Sequence, residues 1–229
     1  MSRRRVNQGA VLTYQYGLPV LIRHDYKERR DHWIERYVVQ SVEYAAKFFK
    51  KGSSVLDIGC AYGYAVHEFN QRGFKAEGVD KFPVHGIFDD VKLTQGSFYQ
   101  LEDIFKKGSV GNLFINHTLE HAGELFRFLH QCVMILKKGG CVYVAVPHID
   151  DEWAWDFRDS TTHYAGFNEK FLESVWKRYG FKTLALQTVE LLPHRKPPRR
   201  EIWYVGRRIK TYDSAYERMI REAKCKKKK

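Results

Sequence analysis

The sequence contains no long uninterrupted apolar run, and this excludes one large class of proteins. None of its 229 residues lies in a stretch that approaches the ~20 consecutive apolar residues of a membrane-spanning helix. The arginines Arg3, Arg4 and Arg5 near the N-terminus have no apolar segment behind them, so we do not expect a secretory signal. The sequence therefore predicts a protein without a membrane span.

Cysteine is also scarce, since the chain has only four and none of them stands in a CxxC pair. This pattern argues against a disulfide scaffold and against a zinc ribbon. With 44% hydrophobic and 15% aromatic residues the chain can still fill a sizeable core, which excludes general disorder. These features are typical of a soluble protein of a reducing compartment, and we expect it in the cytoplasm.

The net charge of +12 lies at the two ends of the chain. Residues 1–50 contain ten Lys and Arg against five Asp and Glu, and residues 194–229 contain fourteen against four, whereas residues 51–193 are slightly acidic. A basic C-terminus can bind RNA or another polyanion, and the alternative is a solvated end that aids solubility.

Helix-like and strand-like periodicities alternate along the chain. They predict helices over 26–49, 64–71, 124–136 and 168–179, and strands over 54–58, 74–79, 91–95, 112–116, 141–146, 182–192 and 201–209. Only residues 193–200 separate the last two strands, too few for a crossover helix, so these strands should pair antiparallel. The predicted fold is α/β, with a doubly wound, mostly parallel seven-stranded sheet that ends in an antiparallel hairpin.

This interpretation divides the chain into three predicted parts. Residues 1–50 form a basic segment and an amphipathic helix that we expect to cap the body. Residues 51–209 form the α/β domain itself. Residues 210–229 form a C-terminal helix and a basic tail.

A glycine turn follows the first strand of this domain. Gly59 and Gly63 flank the turn that leads from a buried strand into a helix, whose free N–H groups point at any ligand above the strand. The next strand ends at Asp80, where a carboxylate can accept hydrogen bonds from both hydroxyls of a ribose. This combination predicts a nucleotide site.

The spacing of the glycines bears on which nucleotide is bound. A dinucleotide site requires G-x-G-x-x-G, whereas this turn is G-x-x-x-G with Ala61 at its centre. Asp57, two residues before the first glycine, would repel a pyrophosphate but would suit a ligand with a cationic amino-acid end. The turn therefore favours a ligand other than a dinucleotide.

Several segments, in the right order, resemble the motifs of the class I S-adenosylmethionine-dependent methyltransferase superfamily, closest to its ubiquinone-type and glycan O-methyltransferase branch. The resemblance covers about residues 50–209, with Ala61 and Lys138 in place of the usual glycine and proline. The matching segments are DIGCAYG at 57–63, Asp80, NHTLEH at 116–121, LKKGG at 136–140 with VYVAVP at 142–147, and HYAGF at 163–167 with YGF at 179–181.

This resemblance implies an enzyme that transfers a methyl group from S-adenosylmethionine and leaves S-adenosylhomocysteine. It implies an acceptor that is a small molecule or a glycan, methylated on oxygen. The cofactor-binding residues that it implies are Asp57, Gly59, Cys60, Ala61, Gly63, Asp80, Ser97, Phe98, Asn116 and His117.

An oxygen nucleophile needs a base with a pKa near the working pH, and histidine is the natural choice. Candidates at the ends of strands are His117, His121, His148 and His163, of which His163 is our first choice as catalytic residue and His121 the second. The acids at 150–152 are of the type that holds Mg²⁺, but a solvated loop is the simpler interpretation, so no metal site is predicted.

Two other functions remain open at this point. One is an RNA methyltransferase that uses the basic termini as a clamp, and the other is a non-catalytic nucleic-acid-binding protein with a relic cofactor fold. DNA methyltransferases are argued against, because no proline pair follows Asn116 and no cysteine follows a proline.

Overall fold

The computed structural model describes residues 11–15, 18–22, 38–83, 85, 87–150, 163–190 and 200–210. Three predictions lie outside these ranges: most of the N-terminal helix, the acids Asp151 and Glu152, and the C-terminal helix with its tail. Within the described ranges, no helix is both long and apolar enough to cross a bilayer.

One sheet of seven strands organises the described part of the chain. Its spatial order is β5-β4-β3-β6-β7-β9-β8, in which the first five strands are parallel and β9 is antiparallel to both β7 and β8. This confirms the predicted fold class, including the C-terminal antiparallel hairpin. The strands are β3 Ser54–Ile58, β4 Lys75–Asp80, β5 Leu93–Gln95, β6 Val110–Asn116, β7 Leu136–Pro147, β8 Phe181–Glu190 and β9 Arg200–Arg208.

In the described part of the chain, five helices and one 3₁₀ turn join or flank these strands. The Asn168 side chain caps the last helix by accepting the N–H of Phe171 at 2.9 Å, and the basic Lys177 and Arg178 lie in its final turn. The helices are α1 Gln40–Ala46, α2 Tyr64–Gln71, α3 Leu101–Ile104, α4 Leu125–Ile135 and α5 Glu169–Arg178, and the 3₁₀ turn is Leu119–His121.

The helices cover both faces of the sheet, as the alternation of side chains along β7 makes clear. Tyr143 packs in one core cluster with residues of α1 and α2, whereas Val142 and Val144 pack in the other with residues of α4 and α5. Every residue of β7 from Cys141 to Pro147 is buried. A strand covered on both faces explains the continuous apolar run from which it was predicted.

Several features of the fold differ from the prediction. Strand β7 begins at Leu136 instead of residue 141, because Leu136 pairs with Val110 before an irregularity in the register. A separate two-stranded antiparallel sheet, β1 Val11–Gln15 with β2 Leu18–Ile22, lies in the N-terminal region. The helix predicted to reach residue 49 ends at Ala46.

Candidate functional site

The turn after β3 is tied to the end of the neighbouring strand β4. Gly59 has φ 83° and donates its N–H to the carbonyl of Val79 at 2.8 Å. Gly63 has φ 77° and precedes the first residue of α2. Both glycines therefore adopt left-handed backbone that a side chain would strain, as the sequence predicted for a turn close to a ligand.

Asp80 ends β4 with both of its carboxylate oxygens facing main-chain donors. Oδ2 accepts the N–H of Ala61 at 2.9 Å, and Oδ1 accepts the N–H of Phe82 at 2.8 Å. A carboxylate oxygen has a second lone pair, so each of these oxygens can accept one further hydrogen bond. The carboxylate is held in place by the main chain and remains able to accept two hydroxyl groups.

Ala61 is one of two non-glycine residues with positive φ among the described residues, at 43°. An L-residue in this region costs roughly 1–2 kcal/mol, because its Cβ approaches the following carbonyl. Alanine at this position therefore introduces local strain. The hydrogen bond to Asp80 holds the residue in this conformation.

Asp57 lies on β3 beneath this turn and is only 4% exposed. Its burial, and then the negative charge of Asp80, raise the pKa of Asp57 to about 8. The carboxyl is thus protonated at neutral pH in the unliganded protein. A cation placed beside it would favour the ionised form.

Cys60 contributes its main chain and not its thiol to the turn. A Cβ on Gly78 would lie 2.6 Å from its sulfur, so the side chain packs directly on β4. Burial raises the pKa of the Cys60 thiol, with a further contribution from Asp57. The thiol is therefore unreactive, in agreement with the argument against a cysteine nucleophile.

The loop after β6 closes over the glycine turn. A Cβ on Gly59 would lie 2.1 Å from Oγ1 of Thr118, so glycine is required for this approach. Asn116, the last residue of β6, has a buried Oδ1 with no hydrogen-bond partner in the described part of the chain. An unsatisfied buried acceptor of this kind fits a residue whose partner is a ligand.

The segment after β5 reaches the same edge of the sheet through its main chain. The N–H of Gly96 donates to the carbonyl of Asp80 at 2.8 Å. The Ser97 hydroxyl accepts the N–H of Tyr99 at 3.2 Å, and the Phe98 ring packs on Phe128 with centroids 4.8 Å apart. The structure thus gives both side chains a local packing role, and their contact with a cofactor stays a prediction.

His117 is held between two buried carboxylates. Its Nε2 lies 2.6 Å from Oε1 of Glu201 and its Nδ1 lies 3.2 Å from Oε1 of Glu120. Burial works against the charged ring, but the charge of Glu201 and the bonds to both carboxylates raise the pKa of His117 to about 10. The ring is therefore an imidazolium at neutral pH and cannot serve as a base, and its predicted contact with the cofactor stays a prediction.

The two histidines that were predicted as catalytic lie side by side. The rings of His121 and His163 have centroids 4.9 Å apart, although 42 residues separate them in the chain. The N–H groups of Tyr164 and Ala165 both donate to the carbonyl of Glu120, at 2.8 and 3.3 Å, and this holds the two segments together. The sequence identified both histidines but not their proximity.

His148 and Asp150 lie after β7, as predicted, whereas Asp151 and Glu152 are outside the described residues. His148 is buried, with Nδ1 accepting the N–H of Asp150 at 3.2 Å and Nε2 lying 3.4 Å from Oε2 of Glu169. The Asp150 side chain is 72% exposed. These contacts fit a structural histidine and a solvated acid.

Sequence reasoning did not single out Thr118, Glu120 and Glu201. Glu120 stands in the matched NHTLEH segment, and its position beside His121 was the available signal. Glu201 is 84 residues from His117 and enters through the pairing of Pro147 with Glu201 between β7 and β9. No local pattern indicates that contact.

Comparison with known proteins connects this site to a family. The sequence model of a family described as "Methyltransferase domain" matches residues 30–186. No protein of curated function matches the chain.

Solved structures from several organisms share the fold. A methyltransferase of Haloferax volcanii in complex with the Trm112 methyltransferase activator is 18% identical, with a TM-score of 0.63 over 80% of this chain and 95% of that one. A SAM-dependent methyltransferase from Archaeoglobus fulgidus is 14% identical, with a TM-score of 0.58 over 78% and 99%. The 1,6-didemethyltoxoflavin-N1-methyltransferase of Burkholderia thailandensis, with bound S-adenosylhomocysteine, is 16% identical, with a TM-score of 0.63 over 91% and 99%.

Proposed function

Because the chain belongs to the methyltransferase-domain family and has the fold of class I S-adenosylmethionine-dependent enzymes, we propose that it methylates an oxygen atom of a small molecule or a glycan. S-adenosylmethionine is the cofactor, and it supplies an activated methyl group on a sulfonium ion. The protein therefore has to position the two reactants and to make the acceptor oxygen nucleophilic.

The residues at the ends of β3, β4 and β6 fit this cofactor. Asp80 is oriented to accept two ribose hydroxyls, and Asp57 provides a carboxyl that ionises beside a cationic group. Gly59 and Gly63 let the main chain pass close to the methionine end, and the buried Oδ1 of Asn116 faces no protein donor among the described residues. We place the adenine beside Ser97 and Phe98.

The proximity of His121 and His163 is the observation that supports oxygen as the methylated atom. A hydroxyl nucleophile has to lose a proton, whereas a neutral amine is already nucleophilic and needs no base for the attack. Histidine is the side chain best suited to accept that proton, and two of them lie together, with His121 three residues beyond Thr118, which packs against Gly59 of the glycine turn. We infer that this pair activates the acceptor hydroxyl.

The other two candidate histidines are less suited to that role. His117 is already protonated, because the carboxylates of Glu201 and Glu120 stabilise its imidazolium form. His148 is 8% exposed and lies between Asp150 and Glu169. Of the histidines that follow β6 and β7, His121 and His163 therefore remain.

Turnover assays with paired variants test this proposal. The protein is incubated with S-adenosylmethionine and panels of hydroxylated small molecules, glycans, amines and RNA, and the release of S-adenosylhomocysteine is measured. His163→Gln and His121→Gln should lower kcat by about 10²–10⁴ on a hydroxylated acceptor while S-adenosylhomocysteine affinity stays unchanged.

His67→Gln is the matched control, because His67 bonds a carboxylate, Asp90 at 2.7 Å, and lies on α2, which carries neither His121 nor His163. Its kcat should equal that of the wild type. Turnover with amines alone, or with RNA in a steeply salt-dependent manner, would contradict the proposal.

A further inference from the structure

We propose that Glu120, His121 and His163 form a binding site for a divalent transition-metal ion such as Zn²⁺ or Mn²⁺. One donor atom from each of the three side chains lies within 4.8 Å of the other two. Two atoms that bind the same ion at ~2.1 Å can be no more than about 4.2 Å apart, so small side-chain movements are sufficient to close the site. The sequence predicted no metal here.

The buried carboxylate of Glu120 is the second, independent observation. The residue is 1% exposed, its Oε1 lies 3.2 Å from Nδ1 of His117, and its Oε2 is buried without a hydrogen-bond partner among the described residues. A buried carboxylate oxygen without a partner is costly, and an ion would satisfy it. Since Oε1 is already bonded, Oε2 is the oxygen that remains for an ion.

The surroundings of Glu120 resemble the support that metal ligands usually have. The chain of contacts runs from Glu120 to His117, from His117 to Glu201, and from Glu201 Oε2 to the indole N–H of Trp203 at 3.0 Å. Such outer contacts fix the orientation of a ligating group. They also leave Glu120 little freedom to turn away from the two histidines.

The loop that carries the third ligand, His163, is fixed by a main-chain hydrogen bond. His163 directly precedes Tyr164, whose N–H donates to the carbonyl of Glu120 at 2.8 Å. This hydrogen bond connects the loop that carries His163 to the 3₁₀ turn that carries Glu120 and His121. The three donors thus come from two segments that are bound together.

The donor set determines the class of ion. Two imidazoles and one carboxylate suit Zn²⁺, Mn²⁺ or Fe²⁺ and leave coordination positions open, whereas Mg²⁺ prefers oxygen ligands alone. An open position is where an acceptor oxygen could bind.

The role of the ion rests on the proposed function, although its binding does not. With the ion bound, His121 and His163 would activate the acceptor as metal ligands and not as bases, because a hydroxyl that coordinates to the ion would lose its proton to solvent more readily. Its oxygen would then bond to the methyl carbon while the carbon–sulfur bond breaks and its electron pair stays on sulfur.

Calorimetry on the full, untagged chain after treatment with a chelator tests the site, with Zn²⁺ and Mn²⁺ as probes. We expect the wild type to bind one ion per chain. In His121→Gln and in His163→Gln the dissociation constant should be at least 100-fold larger. His67→Gln should bind as the wild type does, since His67 has only Asp90 as an acidic partner in the described contacts. Mg²⁺ at millimolar concentration should not displace the probe.

Two measurements keep the result independent of folding and of the proposed function. Each variant is also titrated with S-adenosylhomocysteine, and unchanged affinity shows that the fold is intact. Absence of stoichiometric binding, or equal affinity in wild type, His121→Gln and His163→Gln, would overturn the metal site. Ion binding by a protein that releases no S-adenosylhomocysteine with any hydroxylated acceptor would instead leave the site standing and reject the function.

Discussion

The main-chain N–H of Ala61 donates a 2.9 Å hydrogen bond to Oδ2 of Asp80, which joins the glycine turn after β3 to the end of β4. One carboxylate thus has two tasks, because it braces the turn and is oriented to bind the ribose of the cofactor. Loss of Asp80 should therefore affect both ligand affinity and the geometry of the turn.

Asp80→Ala should weaken S-adenosylhomocysteine binding by about 1–3 kcal/mol, the range expected for lost charge-assisted hydrogen bonds. Isothermal titration calorimetry measures the difference. Glu190→Ala is the matched control, since Glu190 is an exposed carboxylate on the edge strand β8 at the far side of the sheet from β4. Equal affinities for Asp80→Ala and the wild type would exclude Asp80 from the ribose site.

Binding of a cationic ligand should release a proton from Asp57. Its pKa of about 8 in the unliganded protein means that the carboxyl is protonated at pH 6–7, and a neighbouring cation lowers that pKa. Affinity for S-adenosylmethionine should therefore rise with pH up to about 8 and then level off. Calorimetry in buffers of different ionisation enthalpy counts the protons.

The variant Asp57→Asn separates this effect from titration of the ligand itself. The affinity of the variant for S-adenosylmethionine should lack the part of the pH dependence that belongs to Asp57.

Titration of Asp57 should also change the stability of the fold. The unfolded chain loses this proton near pH 3.8 and the folded chain near pH 8, so the wild type should lose stability relative to Asp57→Asn as pH rises between those values. Parallel pH profiles of the two proteins in urea denaturation would contradict this.

Gly59→Ala should destabilise the fold more than Gly139→Ala does. Both glycines have φ 83°, so both substitutions carry the same backbone strain, but a Cβ on Gly59 meets Thr118 at 2.1 Å whereas nothing lies within 4 Å of one on Gly139. The difference should be about 1–3 kcal/mol, the usual cost of overpacking. Urea denaturation of both variants measures it, and equal losses would show that Thr118 moves aside freely.

Glu201→Gln should cost about 1–3 kcal/mol of folding free energy, because it removes the closest counter-charge of the partly exposed His117 imidazolium. The substitution keeps the shape of the side chain, so the loss reports the charge. Glu190→Gln, at an exposed position on β8, should change stability by less than about 0.5 kcal/mol. If the two variants unfold at the same denaturant concentration, the His117–Glu201 pair is not a stabilising contact.

Much of the fold follows from local pattern. Strand β3 was predicted with the bounds that the structure has, Ser54–Ile58, because a short run that is mostly apolar is typical of a strand covered on both faces. The predicted start of β7, at residue 141, was wrong. Gly139 and Gly140 are typical of a turn, but here they lie in a strand with an irregular register. Where the conformation of a residue depends on the strand with which it pairs, the local sequence does not indicate that conformation.

The sequence by itself determined the strand, the glycine turn and the acid at the end of the next strand, because these depend on contacts between neighbouring residues and on the φ that glycine allows. Only the tertiary structure decided the chemical state of the side chains around them. His117 is a cation because antiparallel pairing of β9 with β7 brings Glu201 to its ring from 84 residues away. His121 and His163 meet because two main-chain hydrogen bonds to Glu120 join their segments. Burial and long-range register set pKa values and proximity, and both arise only when the sheet is assembled.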